Sequence, residues 1–210
     1  MGELNQIGKD YNCDKSDIHH EWAGETYFDI YEKYFQKFRD KEINLLELGV
    51  RDGASLRTWA SYFKNAKIHG VDIDPNAALY QTSQFQIHTA SQDDKAKLVG
   101  LSKLVGDWDI VIDDASHINK LSIESFLILF NYLKSGGLYI IEDLRNSYED
   151  LTADAPKWDG MSHNSPELSY KNDRSDMDYL FKSLIKDIDY RQGKIRSIHF
   201  HQQIVVIEKL

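Results

Sequence analysis

The chain has 210 residues, of which 41% are hydrophobic and 28% charged, a balance typical of one globular domain with a sizeable core. Its net charge of −9 argues against DNA or RNA as a partner, and no apolar run reaches the ~18 residues that a membrane span needs. Cys13 is the single cysteine, which excludes an intrachain disulfide and a cysteine-based zinc site. The N-terminus lacks the layout of a signal peptide, so a cytoplasmic location is expected.

The first part of the chain, residues 1–42, is predicted to form a mostly helical N-terminal arm. Within residues 26–35, aromatic side chains recur at helical spacing. This spacing favours a stripe of side chains that packs against the core of the domain.

Residues 43–143 alternate between apolar strands and amphipathic helices, which is typical of a parallel sheet covered by helices on both faces. The predicted strands are 43–50, 67–74, 85–90, 107–113 and 138–143. The predicted helices are 55–63, 93–104 and 121–133. The last of these helices is expected to end in a glycine C-cap at Ser135-Gly136-Gly137.

The rest of the chain departs from this alternation. Residues 144–173 are polar and rich in turn formers, and loops of this length are usually functional or mobile. Because this segment follows Glu142-Asp143, we expect it to form a lid over the site. A helix is predicted over 176–190, followed by two adjacent antiparallel strands over 195–201 and 203–209. The chain, 1–210, is therefore predicted to be a single α/β domain.

Two of the predicted strands end in adjacent carboxylates. One runs into Asp113-Asp114-Ala115-Ser116-His117 and the other into Glu142-Asp143. Strand carboxyl ends are where ligands bind in an α/β sheet, and four converging carboxylates repel one another unless a cation lies between them. The pattern predicts a hard divalent metal, with His117 nearby as a base. Alternatively, a strand-end carboxylate caps the next helix, and His117 is itself a capping residue or a ligand.

A glycine-rich turn follows the first predicted strand. Its pattern is Glu47-x-Gly49-x-x-x-Gly53-x-Ser55, and the next strand ends in Asp72, 19 residues after Gly53. Glycines let a ligand approach the backbone, and an acid about 20 residues further on is placed to bind ribose hydroxyls. The turn predicts a nucleoside-containing cofactor, although it matches neither the dinucleotide fingerprint nor a P-loop. A tight turn beside a solvated acid is the alternative.

These motifs resemble those of the class I S-adenosylmethionine-dependent methyltransferases. The residues that carry the resemblance, in chain order, are Glu47-Leu48-Gly49 with Gly53, Gly70-Val71-Asp72, Ile112-Asp113-Asp114 and Lys134-Ser135-Gly136-Gly137-Leu138-Tyr139. Three further motifs resemble the metal-dependent sugar O-methyltransferases of macrolide biosynthesis, the macrocin and mycinamicin type: Asp14-Lys15 before His19-His20, Asp113-Asp114-Ala115-Ser116-His117, and Ile141-Glu142-Asp143-Leu144. The resemblance runs from about residue 8 to the end.

The resemblance implies a Rossmann-like methyltransferase fold, with a seven-stranded, mostly parallel sheet and an antiparallel last strand. It implies S-adenosyl-L-methionine and Mg²⁺ or Mn²⁺ as cofactors, and a homo-oligomer. The metal ligands would be Asp114, Glu142 and Asp143. The cofactor contacts would be Glu47, Gly49, Gly53, Ser55, Asp72, Gln92 and Asp113. Two features depart from this group: Ala115 stands where it usually has glycine, and the extra N-terminal domain of some relatives is not expected.

The expected chemistry is methyl transfer to a sugar hydroxyl of a glycosylated small molecule or a polysaccharide precursor. A metal lowers the pKa of a hydroxyl, and a histidine, which titrates near neutral pH, can remove the proton. Asp114 and His117 are the candidate catalytic residues, and Tyr148 and His20 the candidate substrate contacts. His19 and His20 can equally be surface residues without a role. A metal-dependent hydrolase and a non-catalytic S-adenosylmethionine-binding protein remain as alternatives.

Overall fold

The computed structural model describes residues 2–16, 24–148, 150–151, 170–191 and 193–210. Two sequence predictions fall on other residues. The His19-His20 pair lies outside the described residues, as does most of the 144–173 segment that was predicted to form a lid. Within the described part of the chain, no helix is both long and apolar enough to cross a bilayer.

Seven strands form one mixed sheet, and six α-helices accompany it within the described residues. The sheet strands are β1 Glu42–Leu48, β2 Asn65–Asp72, β3 Phe85–Thr89, β4 Trp108–Asp113, β5 Leu133–Ile141, β8 Ile195–Phe200 and β9 Val205–Lys209. A separate two-stranded pair consists of β6 Asp150–Leu151 and β7 Tyr170–Lys171. The helices are α1 Glu3–Asp10, α2 Tyr27–Phe35, α3 Ala54–Tyr62, α4 Lys95–Val105, α5 Asn119–Leu129 and α6 Arg174–Tyr190.

The strand order is β3-β2-β1-β4-β5-β9-β8. The first five strands in this order are parallel, and β9 is antiparallel to both of its neighbours. This arrangement confirms the predicted mostly parallel sheet with an antiparallel last strand. Buried apolar residues form one cluster on each face of the sheet, as expected for strands covered on both sides.

The predicted glycine cap at Ser135-Gly136-Gly137 is wrong. Helix α5 ends at Leu129 and passes through a short 3-10 turn into β5, which already contains these glycines. The Lys209 ammonium donates to the carbonyls of Phe130 and Leu133 at 2.8 and 2.6 Å, so a distant cation satisfies the acceptors after the helix. Apart from this region, the predicted strands and helices agree with the structure to within two residues at each end.

The aromatic stripe of the N-terminal arm packs into the core, as its spacing predicted. Three side chains of α2 surround the indole of Trp59 on α3, with ring centroids 5.3, 5.3 and 5.5 Å away: Phe28, Tyr31 and Phe35. All four rings are buried. Helix α2 is therefore held against α3 in the apolar cluster on one face of the sheet.

A histidine pair on β2 and β3 makes stability depend on pH. His69 and His88 stack with Nδ1 3.1 Å from Nε2, and burial lowers the pKa of His69 to about 4 and also lowers the pKa of His88. An unfolded histidine binds its proton near pH 6.5, so this contribution is complete above pH 6.5 and is lost as the pH falls towards 4. Chemical denaturation gives the free energy of unfolding at pH 7.5 and at pH 5. Between these two pH values, His69→Gln should lose about 1–2 kcal/mol less of it than wild type does.

The exposed His199 on β8 offers the control for this experiment. His199→Gln should follow the wild-type pH dependence. If the free energy of unfolding depends on pH equally in wild type and His69→Gln, the stacked pair does not contribute to the pH dependence of stability.

Candidate active site

The candidate site lies where the carboxyl ends of β1, β4 and β5 meet. Strand β1 stands between β2 and β4, so the order of the chain through the sheet reverses between β1 and β4. Ligands of α/β proteins bind in the crevice at such a reversal. The turn after β1 and both acidic strand ends border this crevice, so the topology brings together the two motifs that the sequence singled out.

The turn after β1 depends on Gly49 for its close approach to the β4 loop. Gly49 has a φ of +87°, and a Cβ atom there would lie 2.0 Å from the carbonyl oxygen of Asp114. The Gly49 N–H donates to the carbonyl oxygen of Val71 at 2.8 Å, and the Asp114 N–H donates to the carbonyl oxygen of Leu48 at 3.0 Å. The cofactor-type turn and the predicted metal-binding loop are thus in backbone contact.

Glu47 presents one unsatisfied oxygen to the crevice region. Its Oε2 accepts hydrogen bonds from Ser55 Oγ at 2.7 Å and from Trp59 Nε1 at 3.0 Å. Its Oε1 is buried and has no hydrogen-bond partner among the described residues; the ammonium of Lys15 is 3.8 Å away. Burial raises the pKa of Glu47 to about 7, against the opposing charge of Lys15. An N–H donor of a bound cofactor would satisfy Oε1.

Asp72 fixes the same turn from the end of β2. Its Oδ2 accepts the backbone N–H groups of Val50 and Arg51 at 2.8 and 2.9 Å, and its Oδ1 accepts that of Asp74 at 2.8 Å. Arg51 has a φ of +55°, a left-handed conformation that these bonds help to hold. The structure gives Asp72 a role in the turn, and its contact with a ribose stays a prediction.

Gln92 and Asp113 form a buried hydrogen-bond network beneath the β4 loop. Gln92 Nε2 donates to the carboxylate of Asp113 at 3.1 Å, and its Oε1 accepts the Ser116 N–H at 2.9 Å. Ser125 Oγ donates to Asp113 at 2.8 Å. Both residues therefore brace the loop that carries Asp114 and His117, and their contact with a cofactor remains a prediction.

A buried lysine lies among the candidate carboxylates. Lys15 Nζ donates to Glu142 Oε2 at 2.8 Å and to Asp114 Oδ2, and it is 3.8 Å from Glu47 Oε1. Burial opposes its charged form, but the charges of Asp114, Glu142 and Glu47 raise the pKa of Lys15 well above its usual value. The sequence analysis identified Lys15 only as part of the Asp14-Lys15 motif. It did not predict that the ammonium of Lys15 contacts these acids.

One ammonium does not compensate all the acids around it. Burial, followed by the charge of Asp114, raises the pKa of Glu142 well above its usual range. Burial also raises the pKa of Asp114, although Lys15 and His117 act in the opposite direction. The cluster thus retains an excess of acidic groups, which favours a further cation.

His117 lies between two of the carboxylates. Its Nε2 is 3.4 Å from Asp143 Oδ2 and 3.9 Å from Asp114 Oδ1. His117 and Asp143 both have left-handed backbone conformations, with φ of 55° and 54°. Asn172 Nδ2 donates to the His117 carbonyl at 2.9 Å and helps to hold that conformation. Left-handed non-glycine residues are strained and cluster at functional sites.

The donor set fits a hard divalent cation. Two groups of three side chains have ligand atoms within 4.8 Å of one another, and they share Asp114: Asp114 with His117 and Asp143, and Asp114 with Glu47 and Glu142. Carboxylate oxygens dominate both groups, which suits Mg²⁺ or Mn²⁺. The predicted ligands Asp114, Glu142 and Asp143 are thus divided between two neighbouring groups.

The candidate acceptor contact Tyr148 lies at the edge of this region. Its side chain is 67% exposed, and the guanidinium of Arg174 lies 4.6 Å from the centre of its ring. It follows a short 3-10 turn, Leu144–Tyr148, directly after Asp143. The other candidate acceptor contact, His20, belongs to the residues outside the description.

Comparisons with known proteins show a similarity to sugar O-methyltransferases. The chain is 32% identical, over 90% of its length, to 8-demethyl-8-alpha-L-rhamnosyl tetracenomycin-C 2'-O-methyltransferase of Streptomyces olivaceus, of which it covers 51%. It is also 32% identical, over 85% of its length, to demethylmacrocin O-methyltransferase of Streptomyces fradiae, of which it covers 47%. The chain thus spans about half the length of these curated relatives. No family model matches it.

Solved structures show the same relationship. The mycinamycin-pathway methyltransferase MycE, in complex with Mg, SAH and mycinamycin VI, is 29% identical, with a TM-score of 0.77 over 99% of this chain and 54% of MycE. An SAH-bound methyltransferase of Podospora anserina is 12% identical with a TM-score of 0.56, which supports the fold alone. The chain therefore has the fold of the class I S-adenosylmethionine-dependent methyltransferases, and over about half of their length it is similar to the tetracenomycin-C, macrocin and mycinamicin O-methyltransferases.

Proposed function

We propose that this protein is an S-adenosylmethionine-dependent, divalent-metal-assisted O-methyltransferase that acts on a sugar hydroxyl of a glycosylated small molecule or a polysaccharide precursor. The observation that carries the proposal is the backbone contact between the cofactor-type turn at Gly49 and the loop of Asp114 and His117. The names of the relatives support the class of acceptor, and the Mg and SAH of the MycE complexes support the two cofactors.

The residues divide into a cofactor side and an acceptor side. We assign the cofactor contacts to Glu47, Gly49, Gly53, Ser55, Asp72, Gln92 and Asp113, with the open Oε1 of Glu47 taking an N–H group. We assign the metal contacts to Asp114, Glu142 and Asp143. When bound, the metal would lower the pKa of an acceptor hydroxyl, and the sulfonium cofactor would supply an activated methyl group.

His117 is the base in this scheme. His117 Nε2 would accept the proton of the acceptor hydroxyl, so that the acceptor oxygen could take the methyl group that the cofactor would supply, with S-adenosylhomocysteine as the leaving group. Asp143 and Asp114, whose oxygens lie 3.4 and 3.9 Å from Nε2, stabilise the imidazole once it is protonated. Burial of the side chains around the reacting groups helps to exclude water.

The remaining assignments extend the proposal to the acceptor and the assembly. We propose that Tyr148 and His20 contact the acceptor, that residues 144–173 close over it, and that the chain is one methyltransferase domain with residues 1–42 as its N-terminal arm. Self-association into a homo-oligomer and a cytoplasmic location complete the proposal. The exposed ring of Tyr148, on the short turn that directly follows Asp143, supports its part.

Calorimetric titration with S-adenosylmethionine, first with Mg²⁺ and then with EDTA, tests the proposal. Micromolar binding in both conditions, followed by Mg²⁺-dependent methylation of a rhamnosylated or macrolide-linked sugar, is the expected result. Absence of binding in both conditions would contradict the methyltransferase function and leave a hydrolase as the working hypothesis.

Gly49→Ala sharpens this experiment. The new Cβ would meet the Asp114 carbonyl in a left-handed conformation, and strain of ~1–3 kcal/mol is expected to weaken cofactor binding at least ~10-fold. Gly100 in α4 has open space around its Cβ position, so Gly100→Ala is the matched control and should bind like wild type. If Gly49→Ala and Gly100→Ala bind S-adenosylmethionine with equal affinity, the turn at Gly49 does not contribute to cofactor binding.

A further inference from the structure

Two tyrosines of α2 donate their hydroxyls to the carboxylates at the end of β5. Tyr31 donates to Glu142 Oε1, and Tyr27 donates to Asp143 Oδ1 at 2.6 Å. The pairs are 111 and 116 residues apart in the chain, and both tyrosine side chains are buried. The contacts therefore join the N-terminal arm to the predicted metal ligands.

We propose that Tyr27 and Tyr31 are positioning residues that orient Asp143 and Glu142 for metal binding, which makes helix α2 part of the metal site. This inference rests on the proposed function. It gives the N-terminal arm a role that neither the aromatic spacing nor the acidic motifs indicated.

The spacing of the two tyrosines matches the geometry of the strand end. Residues four apart on a helix lie on one face, about 6 Å apart along its axis. Glu142 and Asp143 are adjacent, but the left-handed backbone of Asp143, with a φ of 54°, turns the chain between them. One helix face can therefore contact two consecutive carboxylates.

Packing alone does not explain the hydroxyl groups. Phe28 and Phe35 lie on the same helix, and with Tyr31 they surround Trp59. A phenylalanine at position 31 would keep that ring contact. The buried hydroxyl of Tyr31 instead needs an acceptor, because an unpaired buried polar group is costly, and Glu142 provides one.

Each phenol engages one oxygen of its carboxylate and leaves the other directed elsewhere. With Oδ1 of Asp143 bound to Tyr27, Oδ2 faces His117 at 3.4 Å. With Oε1 of Glu142 bound to Tyr31, Oε2 faces Lys15 at 2.8 Å. Such outer-shell partners typically change metal affinity 10- to 100-fold when they are removed.

Mn²⁺ affinity of the full chain, measured by calorimetry with S-adenosylhomocysteine present, tests the inference. Tyr27→Phe and Tyr31→Phe are each expected to raise the dissociation constant for Mn²⁺ by about 10-fold or more. Tyr34, also on α2, bonds His201 at 2.7 Å instead of a predicted ligand, so Tyr34→Phe is the matched control. Its Mn²⁺ affinity should stay within about twofold of wild type, as should the affinity of all three variants for S-adenosylhomocysteine.

The outcomes separate this inference from the proposed function. Wild-type Mn²⁺ affinity in both Tyr27→Phe and Tyr31→Phe overturns the inference, even if thermal unfolding shows a loss of stability, because a purely structural role predicts that combination. If Tyr31→Phe does not fold, Tyr27→Phe decides the question. Absence of Mn²⁺ binding in the wild type overturns the metal assignment and the inference together.

Discussion

Replacement of His117 by alanine is expected to lower methyl transfer by about 10²- to 10⁴-fold, the usual contribution of a general base. His117 Nε2 lies near Asp143 and Asp114, so the variant removes the candidate proton acceptor and leaves both carboxylates in place. The affinity for S-adenosylmethionine should stay within about tenfold of wild type, because the contacts assigned to the cofactor lie elsewhere.

Single-turnover rates measured at saturating cofactor and metal provide the test of this prediction. His199→Ala is the control, because this histidine is exposed on β8, and its rate should match wild type. An unchanged rate for His117→Ala would remove it as the base. Because His117 also belongs to a group of possible ligands, Mn²⁺ affinity should be measured on the same sample. A loss beyond about tenfold would identify it as a ligand instead.

Replacement of Lys15 by methionine is expected to lower the free energy of unfolding by about 3–5 kcal/mol in EDTA. Lys15 contacts Asp114 and Glu142 and lies near Glu47, so its loss leaves buried acids without their cation. Mg²⁺ should restore part of the stability, and should stabilise the variant more than wild type, because a bound cation then supplies the missing positive charge.

Chemical denaturation with EDTA and with Mg²⁺ measures both effects. Lys33→Met is the control: Lys33 pairs with Glu25 at the surface, and exposed ion pairs contribute at most about 1 kcal/mol. If Lys15→Met and Lys33→Met lose the same small amount of stability, the buried lysine does not hold the acid cluster together. Equal stabilisation of wild type and Lys15→Met by Mg²⁺ would place the metal away from this cluster.

The local features of the fold were predictable from short stretches of sequence. Apolar runs identified the strands, and the acidic pairs that follow two of them indicated where a ligand would bind. Periodicity also placed the stripe of α2 against the core. The end of α5 was mispredicted because its cap is not local: Lys209 satisfies the carbonyl of Phe130 from 79 residues further along the chain.

The sequence by itself determined the class of fold, the glycine-rich turn with Glu47, and the acids at the ends of β4 and β5, because each depends on residues close together in the chain. Only the tertiary structure decided which donors reach those acids. Lys15 contacts Asp114 and Glu142 across 99 and 127 residues, and Tyr31 reaches Glu142 across 111. These contacts depend on how the N-terminal arm packs against the sheet, and the spacing of residues along the chain does not encode that packing.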